Sequence, residues 1–161
     1  MVEKSKITGL GLDTGKVKVD RTTGCIRLAD VGELMCAEEG EYLLSCWMSD
    51  ANTIAFFVAW EERYNPAHDV RKYEAIQKQA GLNAFVLSPE ELLAVGASGL
   101  YQSGKDAADV YFCVEWAIHF GNWLDPVFNV EILAALREDG QAKYGEDYIR
   151  RLLLGWVGRE N

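Results

Sequence analysis

Residues 88–123 read SPEELLAVGASGLYQSGKDAADVYFCVEWAIHFGNW, and their apolar spacing changes period twice. Ser88-Pro89-Glu90-Glu91 supplies an N-cap, a proline at a position whose N–H has no helical partner, and two acids facing the positive end of the helix dipole. A helix starts there. Gly96, Gly99 and Gly104 then break the helical spacing, and Leu100-Tyr101 and Val110-Tyr111-Phe112 flank the polar stretch Gln102 to Asp109. Two short apolar runs around such a stretch predict an antiparallel hairpin with a wing-like loop. From Val114 to Trp123 the apolar residues return to helical spacing, with a break expected near Gly121. Helix, hairpin and helix in succession predict an α+β fold: a small antiparallel sheet or hairpins packed with about five to six helices.

Toward the N-terminus, Ile7 to Val19 is glycine-containing and alternates loosely, and Lys16-Val17-Lys18-Val19 reads as a strand. Arg21-Thr22-Thr23-Gly24 reads as a turn and Cys25-Ile26-Arg27-Leu28 as the returning strand, a second hairpin. Val31, Leu34 and Met35 then predict a short helix over Ala29 to Met35, ended by Glu38-Glu39-Gly40, and Glu41 to Trp47 suits a short helix or a strand. Ser49 to Thr53 offers several caps for a helix through Ile54, Phe57, Val58, Glu61 and Glu62, closed by Asn65-Pro66. Val70 to Ala80 predicts an amphipathic helix with Val70, Tyr73, Ile76 and Ala80 inward and Arg71, Lys72 and Lys78 outward, stopped by Gly81.

Toward the C-terminus, Asp125-Pro126 launches a helix expected to run through Leu136 and to stop at Asp139-Gly140. Tyr148, Leu152 and Trp156 stand at helical spacing in a closing helix. Residues 1–19 thus read as an N-terminal strand or arm, 20–138 as the domain, and 139–161 as a C-terminal helix packed on it. The 161 residues leave room for one domain and a short appendage.

Charge narrows the class of function. The chain carries a net charge of −9, unevenly: residues 1–30 hold six basic and four acidic side chains, residues 31–161 ten basic and 21 acidic. A duplex-binding surface normally gathers Lys and Arg against phosphate, and most of this chain does the reverse. No apolar run approaches the roughly 18 residues that span a bilayer, and the N-terminus has no signal-peptide core, which predicts a cytoplasmic protein without a membrane partner.

Candidate chemistry is sparse. Cys25, Cys36, Cys46 and Cys113 lack the close-paired spacing of a zinc site and read as free, mostly buried thiols. His68 falls in a polar loop and reads as solvated; His119 falls in an apolar helix and reads as a satisfied core or rim histidine. Glu61 with Glu62, and Glu90 with Glu91, are neighbours in sequence, so they are expected on helix surfaces and caps, not converging on a substrate. Trp116, Phe120, Trp123 and Phe128 read as core and not as a base-stacking platform. No phosphate loop, nucleophile elbow or metal signature occurs, so no enzyme, no cofactor, no metal and no small-molecule substrate is expected.

Three stretches together resemble the KilA-N family, a domain of large DNA viruses, bacteriophages and bacterial mobile elements that is similar to the APSES DNA-binding domain of fungal regulators. They are Gly24-Cys25-Ile26-Arg27-Leu28-Ala29-Asp30-Val31; Asn52-Thr53-Ile54-Ala55-Phe56-Phe57 with Trp60-Glu61, continuing through Asn65-Pro66 and Ala80-Gly81-Leu82-Asn83-Ala84-Phe85 to Leu87-Ser88-Pro89; and Phe120-Gly121-Asn122-Trp123-Leu124-Asp125-Pro126-Val127-Phe128. The resemblance covers residues 20 to 136, and implies a small sheet packed with helices and binding to double-stranded DNA. The chain departs from it where charge is expected. Relatives commonly place arginines after the tryptophan, whereas this chain reads Trp47-Met48-Ser49-Asp50-Ala51; their glycine-rich basic loop is here Ser103-Gly104-Lys105-Asp106-Ala107-Ala108-Asp109.

The remaining cations define the candidate nucleic-acid contacts: Lys16, Lys18, Arg21 and Arg27 near the N-terminal hairpin, and Lys105 in the wing. The alternative expectation is an acidic descendant of a DNA-binding fold that engages a basic host protein, as an inhibitor or a mimic of DNA, because a field of one sign steers partners of the other.

Overall fold

The computed structural model describes residues 16–106, 109–145 and 148–158, which fall into two compact units, one ending at Leu124 and the other beginning at Asp125. The fold is mixed α+β, with eight α-helices and a two-stranded antiparallel hairpin among the described residues. The expected alternation before Lys16 lies outside them.

In the first unit α1 (Leu28–Met35) leads through Glu38, at φ +67°, into α2 (Gly40–Ser49). The alternative of a strand after Glu41 is thereby excluded, and Gly40 opens a helix instead of merely ending one. The reason is a close crossing: a Cβ on Gly40 would lie 2.2 Å from the Ala29 carbonyl oxygen. Glu33 on α1 ties the connection down, accepting from the Glu38 N–H at 2.8 Å and from the N–H of Gly40, the first residue of α2, at 3.3 Å.

Helix α3 (Ala51–Tyr64) starts on Asp50, whose carboxylate accepts from the Asn52 and Thr53 N–H groups. The segment read as one helix from Val70 to Ala80 is a 3-10 turn, Val70–Tyr73, followed by α4 (Glu74–Gln79). The change of pitch moves the faces: Tyr73 and Ile76 are buried as expected, but Val70 is half-exposed. Helix α5 (Pro89–Ala94) begins with the full capping box on Ser88 and Glu91. Strands β1 (Leu100–Gln102) and β2 (Val110–Phe112) pair antiparallel, Leu100 opposite Phe112, and α6 (Val114–Leu124) follows. Helix α6 runs through Gly121 without the expected break. The N-terminal hairpin is reduced to a bridge, Val19 opposite Ile26, because Leu28 is already the buried first residue of α1.

Trp47 is the hub of this unit. Its ring meets Phe57 at 5.1 Å and Phe112 at 5.9 Å, both edge-on, and Phe120 at 5.0 Å. Phe57 in turn stacks on Trp116 at 4.0 Å. These rings come from α2, α3, β2 and α6, and burying each contributes roughly 1.5–3 kcal/mol, with more from the edge-on pairs. Trp116 and Phe120 are core as expected, whereas Trp123 is 40% exposed and Phe128 belongs to the second unit.

The second unit is α7 (Pro126–Tyr144) and α8 (Tyr148–Val157). Asp125 caps α7 by accepting from the Val127 N–H at 2.9 Å, with Pro126 at the first helical position. The expected stop at Asp139-Gly140 does not act; the helix ends at Gly145, φ +95°. One glycine in a helix interior costs only about 1 kcal/mol, which the neighbouring turns outweigh. The side chains of Tyr148 and Trp156, expected on the inner face of α8, lie outside the described residues.

Candidate nucleic-acid interface

The hairpin carrying Lys18, Arg21 and Arg27 is organised by Asp20. The Asp20 N–H donates to the Cys25 carbonyl at 2.9 Å, and the Gly24 N–H returns to the Asp20 carbonyl at 2.7 Å. The Asp20 carboxylate accepts from the Thr22 N–H at 2.9 Å. Gly24, at φ +77°, closes the turn in a conformation that strains any side chain. From β1 the Tyr101 hydroxyl donates to the Asp20 carboxylate. That bond, helped by the Thr22 N–H, holds the Asp20 carboxyl below the usual carboxylate range; burial and the same bond push the Tyr101 hydroxyl up.

This hairpin is fastened to the wing. Ile26 and Phe112 exchange backbone hydrogen bonds of 2.8 and 2.9 Å, so the arm extends the sheet beside β2. Within the wing the Ser103 N–H donates to the Asp109 carbonyl and the Asp109 N–H to the Asp106 carbonyl, each at 2.9 Å. Gly104 leaves room there for the Asp109 side chain, since a Cβ would lie 2.4 Å from one of its carboxylate oxygens and the carboxylate would have to move. Tyr101 and Tyr111, opposite each other on β1 and β2, stack at 5.5 Å.

Of the candidate cations, Lys16, Lys18, Arg21 and Lys105 are exposed. Arg27 is engaged inside the protein. Its side chain is 18% exposed, its guanidinium pairs with Asp30, and its Nε lies 3.7 Å from Asp109. That distance is an ion pair without a hydrogen bond, and no other partner reaches the Nε. Asp30 also accepts from the Lys18 N–H at 3.0 Å. The structure thus brings the arm and wing together and threads the cations with Asp20, Asp30, Asp106 and Asp109. Sequence reading named the cations and the wing aspartates Asp106 and Asp109, and missed Asp20 and Asp30, together with the Tyr101–Tyr111 stack, whose only signal was the matching position of the two tyrosines in the strands.

The wing is positioned from below by Glu61. Expected on an exposed helix face beside Glu62, Glu61 is fully buried, while Glu62, Glu90 and Glu91 are exposed. It accepts from the Ser98 and Gly99 N–H groups at 2.7 and 2.9 Å, from the Ser98 hydroxyl at 3.1 Å and from the Asn65 amide at 2.7 Å. Four donors replace the water that a buried carboxylate loses, and fix the turn that feeds β1. The nearby Tyr73 hydroxyl is pushed up by burial, with the Glu61 charge adding to it.

The histidines and cysteines divide. His119 is the satisfied histidine expected: its Nδ1 accepts from the Trp47 indole N–H at 3.0 Å and its ring stacks on Phe56 at 4.2 Å. Burial lowers its pKa, partly opposed by the Asp50 charge. His68 differs from the solvated reading, since it is half-buried, packs against Tyr73 at 5.3 Å, and both ring nitrogens are shielded without partners. All four cysteines are free, but Cys36 is exposed and the other three half-buried, so the buried reading does not hold. Among the described residues no group of His, Cys, Asp or Glu is arranged to hold a metal ion, and no helix is long and apolar enough to cross a membrane. No family model matches the chain, and no curated protein and no solved structure does either.

Proposed function

We propose that the chain is a KilA-N-type module that works by binding, without catalysis, and that its ligand is double-stranded DNA held weakly by the arm and wing. The observation that carries this reading is the fastening of the N-terminal hairpin to β2 through Ile26 and Phe112, which brings exposed Lys18, on the outer side of that hairpin, and Arg21, in its turn, to the same sheet as the hairpin that bears Lys105. Phosphate contacts from such cations supply sequence-independent affinity. Interleaved aspartates keep that affinity low. Fluorescence anisotropy with a mixed-sequence duplex in low salt tests the reading: saturable binding is expected, with log K falling against log salt at a slope of about −4 or shallower for four phosphate contacts. A flat titration to tens of micromolar, or a slope of zero, removes DNA as the ligand.

A second reading, a basic protein partner, is favoured by Arg27, which spends its charge on Asp30 and Asp109. A groove of about 190 Å³ fits the same reading, since Leu44, Met48, Val86 and Leu87 line it together with Glu41 and Glu90. Apolar walls with carboxylates nearby suit an apolar side chain flanked by Lys or Arg. Capture of one basic, nucleic-acid-handling protein in stoichiometric amount, lost in the Glu41→Lys variant, would select this reading over DNA.

A further inference from the structure

Ile26 and Phe112 exchange both backbone hydrogen bonds, so they form the closely spaced pair of the antiparallel ladder. The next pair in that register is Cys25 opposite Cys113, a position without mutual hydrogen bonds. In agreement with this, the Cys113 N–H turns the other way, to the Gly99 carbonyl at 2.8 Å. Residues so opposed have Cα atoms about 4.5 Å apart and side chains on the same face, which falls inside the roughly 4.4–6.8 Å that a disulfide spans. We propose that Cys25 and Cys113 are a redox pair, placed by this register to close into a cross-strand disulfide when the protein meets a low-molecular-weight disulfide such as oxidised glutathione.

The other thiols are differently placed. Cys36 caps the end of α1 and lies 3.4 Å from the Glu39 carboxylate, and Cys46 sits within α2. Burial pushes the Cys113 thiol up to about 12, and Glu115 on α6 and then the Cys25 thiol add to that rise. Tyr101 on β1 lies near enough to Cys25 for the two to interact electrostatically, and the Asp20 N–H donates to the Cys25 carbonyl.

The chemistry runs in two exchanges. The Cys25 thiolate, its proton given to water, attacks one sulfur of the low-molecular-weight disulfide and expels a thiolate, leaving a mixed disulfide on Cys25. The Cys113 thiol then loses its proton to water and attacks the Cys25 sulfur, expelling the second thiolate. The two protein thiols are oxidised, and the small disulfide is reduced to two thiols. Burial keeps Cys113 protonated at neutral pH, so closure is the slow step and the mixed disulfide precedes it. Closure fixes the arm carrying Lys18, Arg21 and Arg27 to β2 by a covalent bond where Ile26 now holds it by two hydrogen bonds.

The test is to incubate the full chain with oxidised glutathione at mildly alkaline pH, block remaining thiols by alkylation, digest without reduction and identify joined peptides by mass spectrometry. The expected result is a dominant peptide pair joined through Cys25 and Cys113, whose share collapses toward random pairing when the same oxidation is run in urea. Cys113→Ser is expected to stop at a glutathione adduct on Cys25. Complete alkylation of both Cys25 and Cys113 after oxidation overturns the proposal, and so does a pairing pattern identical with and without urea. Both of these arms use the natural chain and do not depend on how the variant folds.

Discussion

Glu61 and Ser98 are joined twice: the Ser98 N–H donates to one carboxylate oxygen at 2.7 Å, and the Ser98 hydroxyl donates to the other at 3.1 Å. The Asn65 amide that donates to Glu61 also donates to the Gly96 carbonyl at 3.0 Å. One buried side chain therefore ties the body of α3, its C-terminal cap and the turn into β1. The wing owes its orientation to this knot, since Gly99 is the residue immediately before the strand.

Glu61→Gln keeps the shape but turns an acceptor into a donor. Its amide N–H₂ would face the Ser98 and Gly99 N–H groups or the Asn65 amide, leaving buried donors opposed. The expected loss is about 1–3 kcal/mol, and more for Glu61→Ala, which removes the acceptor of the Ser98 and Gly99 N–H groups and leaves the Asn65 amide only the Gly96 carbonyl. Urea titration measures it. Hydrogen exchange should quicken first at Ser98 and Gly99; an unchanged midpoint with unchanged exchange would sink the account.

What the sequence discloses and what it hides follow the range of the interaction. The caps at Ser88 and Asp125 were legible because a cap satisfies donors two or three residues away, and the same rule narrowed the start of α3 to several candidates, of which the structure uses Asp50. The wing was legible for the same reason, as two short strands around a glycine-containing loop. Gly121 and Gly140 misled because one glycine costs a helix only about 1 kcal/mol, which the turns on either side outweigh. Glu61 was not legible at all, because its burial depends on Ser98 and Gly99, far along the chain. Arg27 has a local partner in Asp30, three residues on, but the approach of Asp109 depends on the fold, and spacing alone does not distinguish such a pair from two solvated charges.

His119 predicts a response to acid. Its pKa is depressed below 6.5 by burial, so the folded state favours the neutral ring, whose Nδ1 must stay unprotonated to accept from Trp47. A depressed folded pKa contributes stability above the unfolded value, and that contribution is lost as pH falls through the folded one. Urea midpoints should therefore drop below pH 6.5 in the natural chain, and the drop should be smaller in His119→Gln. Equal pH dependence in the two proteins would show that other groups govern it.

Asp109→Asn tests whether Arg27 is held back from DNA. Removing the carboxylate 3.7 Å from the Arg27 Nε leaves Asp30 as its remaining partner and lowers the negative charge of the wing. On the DNA reading, duplex affinity in low salt should rise several-fold and the salt slope should steepen by about one unit, the increment of one phosphate contact. Anisotropy titrations at several salt concentrations read both quantities. Weaker or unchanged binding would place the recognition surface elsewhere.

Gly104 and Asp109 should prove coupled. A methyl group at 104 would lie 2.4 Å from one Asp109 carboxylate oxygen and 3.1 Å from the carboxylate carbon, so Gly104→Ala must displace the carboxylate or open the wing. Displacing it also withdraws the charge from Arg27. The single substitution is expected to cost roughly 1–3 kcal/mol, the usual range for overpacking. If the clash is with that side chain, the cost should shrink once Asp109 is shortened to alanine, giving a coupling energy of about 0.5 kcal/mol or more in a double-mutant cycle. Strict additivity in denaturant titrations would mean that the wing backbone, and not the carboxylate, demands glycine at this position.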